Sequence, residues 1–272
     1  MVILSNCARQ TQQPKRICPG EKSAAEVLSL LNSRPQNAVP LKAHGQCRLL
    51  YYAEAKLHKE NFPVKLWMNP PLEIYLQGDV AFDAKGIALG SNKDEFWLSM
   101  RPKEISSYWR GRWSEQSCFE ELMISPKLVL EALGVVEVSG EEYWSLSDEG
   151  AFNVLTKRDG DAGTQKIYVS KCDYLVSKIG HLDTNGKALI VIELGKYKEV
   201  FKGFFVPTVI RIIKPTAEDR EDLTSVTLNL KSIKRANFTE KQRNLLFTPP
   251  QPRGVKHIYK ISENCEVIEQ PQ

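Results

Sequence analysis

The sequence contains no apolar run that approaches the roughly 20 residues needed for a membrane-spanning helix. It also contains no G-x-S-x-G, no HExxH and no glycine-rich phosphate loop, the short motifs of many hydrolases, zinc proteases and nucleotide-binding proteins. The acidic pairs Glu120–Glu121 and Glu141–Glu142 stand in ordinary surface contexts. We therefore expect no enzyme activity, no cofactor and no metal site.

Charge of one sign is not in large excess either. The 37 lysines and arginines are nearly balanced by 33 aspartates and glutamates, which leaves a net charge of +4. The two signs are interspersed along the chain, whereas nucleic-acid-binding proteins concentrate lysine and arginine. With 42% hydrophobic and 26% charged residues, the composition is typical of a globular protein with a substantial core. We expect no nucleic-acid partner.

The cysteines are few and widely spaced, with no CxxC pair and no histidine at a metal-ligand spacing. This spacing predicts mostly buried free thiols, with room for one disulfide. The six positions are Cys7, Cys18, Cys47, Cys118, Cys172 and Cys265.

Cys7 stands apart from the others, because VILSNCA resembles the end of a bacterial lipoprotein signal, where the cysteine becomes the lipid-bearing first residue. Asn6 replaces the expected small residue, and the five residues before it form no complete signal peptide. Either the start has been trimmed upstream or the match is chance. Residues 8–21 have the composition of an extended tether, although an ordinary terminus would look the same. We predict a tether over 1–22, with Cys7 as the candidate lipid anchor.

The centre of the chain, from Leu66 to Trp113, alternates as β-strands do. Aromatic residues also lie between the alternating positions, so parts of both faces should be buried. Seven residues share one face by this alternation: Leu66, Met68, Ile74, Leu76, Phe96, Leu98 and Met100. Gly45 to His58 also alternates and predicts one long strand.

Two short helices are predicted by their caps. Ser23 and Glu26 form a capping box for a helix of about ten residues that ends before Pro35. Ser125 and Pro126 supply the cap and first residue of a second helix.

Residues 101–122, RPKEISSYWRGRWSEQSCFEEL, read as a short helix or loop that carries Trp109 and Trp113 among arginines. These aromatic side chains could plug a core, stack on arginine, or bind anionic head groups. We place both tryptophans near the opening of the interior.

The remainder of the chain is almost all strand, with a strong hairpin signal at Asn185 and Gly186. About ten antiparallel strands with only a few short helices predict a mainly β fold, a large curved sheet or open barrel. No linker composition divides the strands, so residues 23–272 are predicted to form one domain.

Five segments, taken in order, resemble the LolA/LolB-like family of bacterial lipoprotein carriers and receptors. They are SAAEVLSLL, NPPLEIYLQGD, LGSNKDEFWLSMRP, FFVPTVIRI and the ending in which Asn237 precedes LLFTPPQPRGV. The resemblance implies an incomplete antiparallel β-barrel, closed by a helical lid or plug around an apolar cavity that accepts acyl chains. The chain departs from the family in its greater length, and no arginine matches the one that latches the family's lid.

This resemblance implies a protein of the cell envelope, periplasmic or anchored to the outer membrane, whose partners are lipid or lipoprotein acyl chains. The candidate ligand-binding residues are the seven inner-face residues together with Trp109 and Trp113. The alternative is a non-catalytic structural or interaction lipoprotein with a packed core. An enzyme on the same scaffold is the weakest of the three hypotheses. The sequence leaves the oligomeric state open.

Overall fold

The computed structural model describes residues 18–54, 56–80, 83–113, 122, 124–158, 160, 163–215, 224–262 and 264–271. These residues form three α-helices and one sheet of 15 strands. The helices are α1 (Ala24–Gln36), α2 (Pro126–Ala132) and α3 (Glu240–Leu246). The strands are β1 (Leu41–Ala53), β2 (Lys56–Asn69), β3 (Glu73–Val80), β4 (Asp83–Ser91), β5 (Glu95–Met100), β6 (Ser107–Arg112), β7 (Trp144–Glu149), β8 (Phe152–Arg158), β9 (Thr164–Ser170), β10 (Val176–Leu182), β11 (Ala188–Phe201), β12 (Phe204–Lys214), β13 (Thr224–Arg235), β14 (His257–Ile261) and β15 (Val267–Gln270).

The sheet is a meander in two runs that meet where β1 pairs with β13. Its strand order is β15-β14-β6-β5-β4-β3-β2-β1-β13-β12-β11-β10-β9-β8-β7, so β15 and β7 are the two edges. Every pairing is antiparallel except that of β14 with β6, which is parallel. The predicted class, a mainly β, open and curved antiparallel sheet with a few helices, is confirmed, although it has 15 strands rather than about ten.

The sheet curves around α2, which defines its inner face. Helix α2 contacts β4 on one side and β11 and β12 on the other. Strands β4 and β12 are five steps apart in the sheet order, about 24 Å if the sheet were flat. One helix about 10 Å wide can reach both strands only if the sheet bends towards it. The side chains facing α2 and α1 form the main hydrophobic core.

Both predicted helices begin where their caps place them. The Ser23 hydroxyl accepts from the backbone N–H of Glu26, and the Glu26 side chain accepts from that of Ser23. In α2, the Ser125 hydroxyl accepts from the N–H of Leu128. The predicted end of α1 is wrong, because the helix has 13 residues and includes Pro35. Pro35 has no N–H to donate to the carbonyl of Leu31, and α1 ends one residue after it.

Two predictions of secondary structure are wrong. Gly45 to His58 is not one strand: β1 ends at Ala53 and the chain reverses into β2, with Glu54 in the left-handed conformation, φ 51°. The turn changes the parity of the alternation, because Tyr51 and His58 are directly opposite on the inner face, whereas Leu57 lies opposite Tyr52 on the outer face. The helix or loop predicted for residues 101–122 contains instead a 3₁₀ turn, Lys103–Ile105, and strand β6. β6 forms because β5 and β14 pair with it on both sides.

The crossover segment, residues 236–256, links β13 to β14 across the outer face and contains α3. Arg243 on α3 binds the outward-facing carboxylate of Glu73 at 2.9 Å, and the Lys256 N–H donates to the Ser106 hydroxyl at 3.1 Å. Trp97 and Tyr108 also point outward by register, yet they are only 0% and 3% exposed. The outer face of β3 to β6 is therefore covered, which explains why both faces of these strands are apolar.

The prediction of mostly free, buried thiols is wrong for the described cysteines, because three of the four are disulfide-bonded. Cys18 and Cys172 form a disulfide, Cys265 is also disulfide-bonded, and Cys47 is a free, buried thiol. Residues 18–22, the described part of the predicted tether, therefore lie against the domain. The side chain of Asn153 bonds the N–H and C=O of Glu21 at 3.2 and 3.1 Å. Isolated cysteines cannot be paired from spacing alone, because pairing depends on the fold.

Candidate functional site

The inner face of β2 to β6 carries the predicted apolar residues in cross-strand rows. One row runs Leu66, Leu76, Leu89, Leu98 and Trp109, with each residue directly opposite the next. A second row runs Met68, Ile74, Ser91, Phe96 and Gly111, and Met100 lies opposite Ile87 in a third. The register therefore places the seven alternating residues on one face, as predicted, and Trp109 lies on the same face because its segment forms β6.

These side chains are deeply buried. Leu66, Met68, Ile74 and Leu98 are each 0% exposed, and Phe96, the most exposed of the seven strand residues, is 9% exposed. All seven belong to the main core cluster, and Trp109 and Trp113 pack against it from its margin. Gly111 leaves room for the Phe96 ring, since a Cβ on Gly111 would lie 2.5 Å from the Phe96 Cζ. The rows therefore form a continuous apolar surface.

Aromatic side chains stand at one margin of this surface. The Trp109 ring lies 4.3 Å from that of Tyr259 on β14, and its indole N–H donates to the Ser107 hydroxyl at 2.9 Å. Trp113 follows β6, packs on Phe96 with ring centroids 5.5 Å apart, and donates its indole N–H to the Asn92 carbonyl. Because Trp109 and Trp113 are half-buried and close to the β14–β15 edge, they border the apolar surface.

Helix α2 is the element that covers the inner face. Its buried residues occupy most of its circumference: Pro126, Leu128, Val129, Leu130 and Ala132. Burial also lowers the pKa of the Lys127 ammonium on the same helix. A helix that is apolar on nearly all sides must be surrounded by protein, so α2 fills the concavity between the two halves of the sheet.

One polar contact fastens α2 to the C-terminal half of the sheet. The Glu131 carboxylate accepts from the side-chain amide of Gln165 on β9, and it lies 3.1 Å from the His181 Nε2 on β10. The side chains of Glu131 and His181 are only 18% and 12% exposed, so this contact is mostly shielded from water. No local sequence signal points to this latch, because Gln165 and His181 are 34 and 50 residues away from Glu131.

The inner face also carries polar groups near the β1–β2 hairpin. Tyr51 stacks on His58 with ring centroids 5.0 Å apart, and its hydroxyl has no hydrogen-bond partner among the described residues. Burial raises the pKa of Tyr51 to about 12, and burial likewise raises the pKa of the Cys47 thiol to about 12. Both groups are therefore neutral at physiological pH and compatible with an apolar interior.

Among the described residues, no three histidine, cysteine, aspartate or glutamate side chains are grouped as metal ligands. None of the described helices is long and apolar enough to cross a bilayer. Cys7, the candidate lipid anchor, lies outside the described residues.

The fold was compared with solved structures. An outer membrane lipoprotein-sorting protein domain from Vibrio parahaemolyticus aligns with a TM-score of 0.54 and 13% identity, covering 82% of this chain and 97% of that one. A LolA superfamily protein from Nitrosomonas europaea aligns with a TM-score of 0.52 and 11% identity, covering 81% of this chain and 97% of that one. The chain has the LolA-type fold.

The LolA-type fold is evident in the coordinates and not in sequence comparison, since no family model and no curated protein matches the chain. A DUF1329 family protein from Desulfovibrio piger also aligns, at 14% identity and a TM-score of 0.49. The Vibrio and Nitrosomonas structures confirm the expected LolA/LolB-like resemblance for the fold. Sequence identities this low establish a shared fold and not a shared function.

Proposed function

We propose that this protein binds lipid or lipoprotein acyl chains against the inner face beneath α2, without covalent chemistry. One observation carries the proposal. In this LolA-type fold a continuous apolar surface lies beneath the short helix α2, which the Glu131 carboxylate attaches to the sheet. An acyl chain is the ligand that suits such a surface, because each buried methylene contributes about 0.8 kcal/mol.

The margin of the surface suits the polar end of such a ligand. Trp109 and Tyr259 combine an apolar ring with a hydrogen-bonding tip, as aromatic residues do where one end is buried and the other wet. We place the acyl tail on the rows that contain Leu66 and Leu98, and the head group beside Trp109 and Trp113. On this proposal the ligand enters between α2 and the β6–β14 side of the sheet.

The proposal places the protein in the bacterial envelope, either in the periplasm or anchored to the outer membrane through Cys7. The Vibrio parahaemolyticus structure supports this location, since it is described as an outer membrane lipoprotein-sorting protein domain. Replacing Cys7 with serine in the native precursor should release the protein from the membrane fraction. Unchanged membrane association of that variant would remove the lipid-anchor hypothesis.

A structural lipoprotein with a packed core is the second candidate. It is favoured by the same burial values, because residues 0% to 9% exposed within one cluster are what a solid interior contains. Ligand binding distinguishes the two candidates, since a packed core admits an acyl chain only by unfolding.

The test is equilibrium binding of a fluorescent fatty-acid probe to the wild type, Leu98→Trp and Gln46→Trp. Leu98 lies on the inner face, whereas Gln46 points outward and is exposed, so the two variants add the same ring on opposite faces. We expect the wild type and Gln46→Trp to bind the probe equally and Leu98→Trp to lose binding, with all three folded by circular dichroism. Absence of probe binding to the wild type below its aggregation limit would support the packed core instead.

A further inference from the structure

The outer face of the three central strands is strongly basic. Strands β13, β1 and β2 are adjacent in the sheet, and their outward residues follow from the register. Five exposed cations face outward by register, and a sixth, Lys231, is exposed at the bulge between them: the set is Lys42, Arg48, Lys59, Lys65, Lys231 and Lys234. We call these residues the basic face.

The basic face carries no compensating acid. Each outward position of β13, β1 and β2 is described, and none is aspartate or glutamate. Lys42 is directly opposite Lys234, a cross-strand pair of like charges that destabilises a sheet. The positive charges of this face are therefore uncompensated within it, and an anionic partner would neutralise them.

The crossover segment leaves this face open. It is bonded to Glu73 on β3 and to Ser106, the residue before β6. It therefore lies over the outer face of β3 to β6 and not over β13, β1 and β2. The basic face is thus the uncovered part of an outer surface whose other part is apolar and covered.

Exposed apolar side chains border the basic face at both ends. Leu57, which faces outward near the β1–β2 turn, is 48% exposed. At the other end Phe205 on β12, which also faces outward by register, is 37% exposed. Basic residues flanked by exposed leucine and phenylalanine are the combination by which proteins attach to the interface of an anionic bilayer.

We propose that the basic face docks on an anionic phospholipid surface, with Leu57 and Phe205 entering the boundary between head groups and acyl chains. The broad sheet face suits a flat surface, and the exposed apolar side chains have a favourable environment in lipid that a nucleic acid lacks. This contact would hold the LolA-type domain at a membrane with its interior directed away from the lipid. The proposal does not depend on a ligand in the interior.

Vesicle co-sedimentation tests the proposal with the full chain produced without lipid modification. The vesicles are phosphatidylcholine alone, or phosphatidylcholine with phosphatidylglycerol. We compare the wild type with the charge-reversal variant Lys42→Glu/Lys234→Glu and with Lys93→Glu/Lys241→Glu. The control reverses two exposed lysines on the β4–β5 turn and on α3, outside the basic face.

We expect binding to the anionic vesicles only, weakening with salt, and reduced about tenfold or more by Lys42→Glu/Lys234→Glu because each basic residue near the surface contributes about fivefold. The control should bind within about twofold of the wild type. Equal binding to both vesicle types, or equal losses in the two variants, would overturn the proposal. So would retention of a short DNA duplex, but not of anionic vesicles, by the basic face. Fatty-acid probe binding should be unchanged in both variants, so failure here is distinguishable from failure of the proposed function.

Discussion

Helices α1 and α2 both pack on the inner face, but they differ in what makes them helical. α1 has 13 residues and a complete capping box, with Val27, Leu28 and Leu31 buried and Leu30 exposed. α2 has seven residues and is buried on nearly every side. Isolated helices shorter than about 12 to 15 residues are marginal in water, so α2 is helical because the sheet surrounds it.

The two helices also differ in how they are attached. The segment before α1 is joined to the sheet by the Cys18–Cys172 disulfide, and Asn32 on α1 makes two hydrogen bonds to the backbone of Val138. On α2, the Glu131 carboxylate contacts Gln165 and His181 through side chains alone. We propose that α1 is a permanent part of the domain and that α2 moves aside when an acyl chain binds, because the ligand then covers the apolar surface that α2 leaves.

Removing the disulfide should have the largest effect on stability and little effect on binding. In Cys18→Ser/Cys172→Ser, we expect the free energy of unfolding to fall by about 2 to 5 kcal/mol, because the bond joins residues 154 apart. Urea denaturation measures this loss. Probe affinity at a temperature where the variant is folded should match that of the wild type. A parallel loss of affinity would mean that α1, and not α2, shapes the ligand site.

Truncating one buried leucine in each helix compares their packing. Leu28 and Leu128 are both 0% exposed. Leu28→Ala should cost about 2 to 5 kcal/mol of global stability, as in a packed core. Leu128→Ala should cost less and should strengthen probe binding, because the site relaxes and the ligand fills the space. Equal costs, with no change in probe affinity, would indicate one solid core around both helices.

Breaking the contact of Glu131 with Gln165 and His181 should increase the rate at which the probe enters the site. Glu131→Gln removes the charge near His181, and hydrogen bonds to charged groups contribute about 1.5 to 3 kcal/mol. We expect the probe to associate about tenfold faster, since about 1.4 kcal/mol corresponds to tenfold. The matched control is Glu193→Gln, which breaks an exposed pair with Arg211 on the outer face. Stopped-flow fluorescence measures both rates, and equal rates in the two variants would contradict a role for the latch.

Removing a helix cap should have the smallest effect. Ser23→Ala and Ser125→Ala each remove one hydrogen bond at a helix start, worth about 1 kcal/mol. In α1 the loss should appear in global unfolding. In α2 it should appear as faster amide exchange of that helix alone, measured by hydrogen–deuterium exchange. If Ser125→Ala lowers global stability by the full amount, α2 does not move independently.

Most of the fold could be predicted where the signal is local. The caps at Ser23 and Ser125 and the turn at Asn185–Gly186 each depend on neighbouring residues, and the structure has all three. β6 was missed because its strand character comes from pairing with β14, which lies about 150 residues further along the chain. The Cys18–Cys172 disulfide was missed for the same reason.

The candidate site can likewise be predicted where it depends on neighbouring residues and not where it joins distant segments. Alternation places Leu66, Ile74 and Leu98 on one face, because parity is a local property of a strand. The Glu131 latch and the contact of Trp109 with Tyr259 join distant segments, so the sequence alone could not reveal them. The basic face was missed in the same way: charges that are interspersed in sequence become separated only when β13 pairs with β1.

Hydrogen–deuterium exchange of α1 and α2, with and without a saturating fatty acid, tests the central claim most directly. We predict that the amides of α2 exchange faster than those of α1 in the free protein. The fatty acid should change the exchange rate of α2, slow exchange in β2 and β5, and leave the exchange rate of α1 unchanged. Exchange of α1 and α2 at one common rate, unaffected by fatty acid, would contradict this claim.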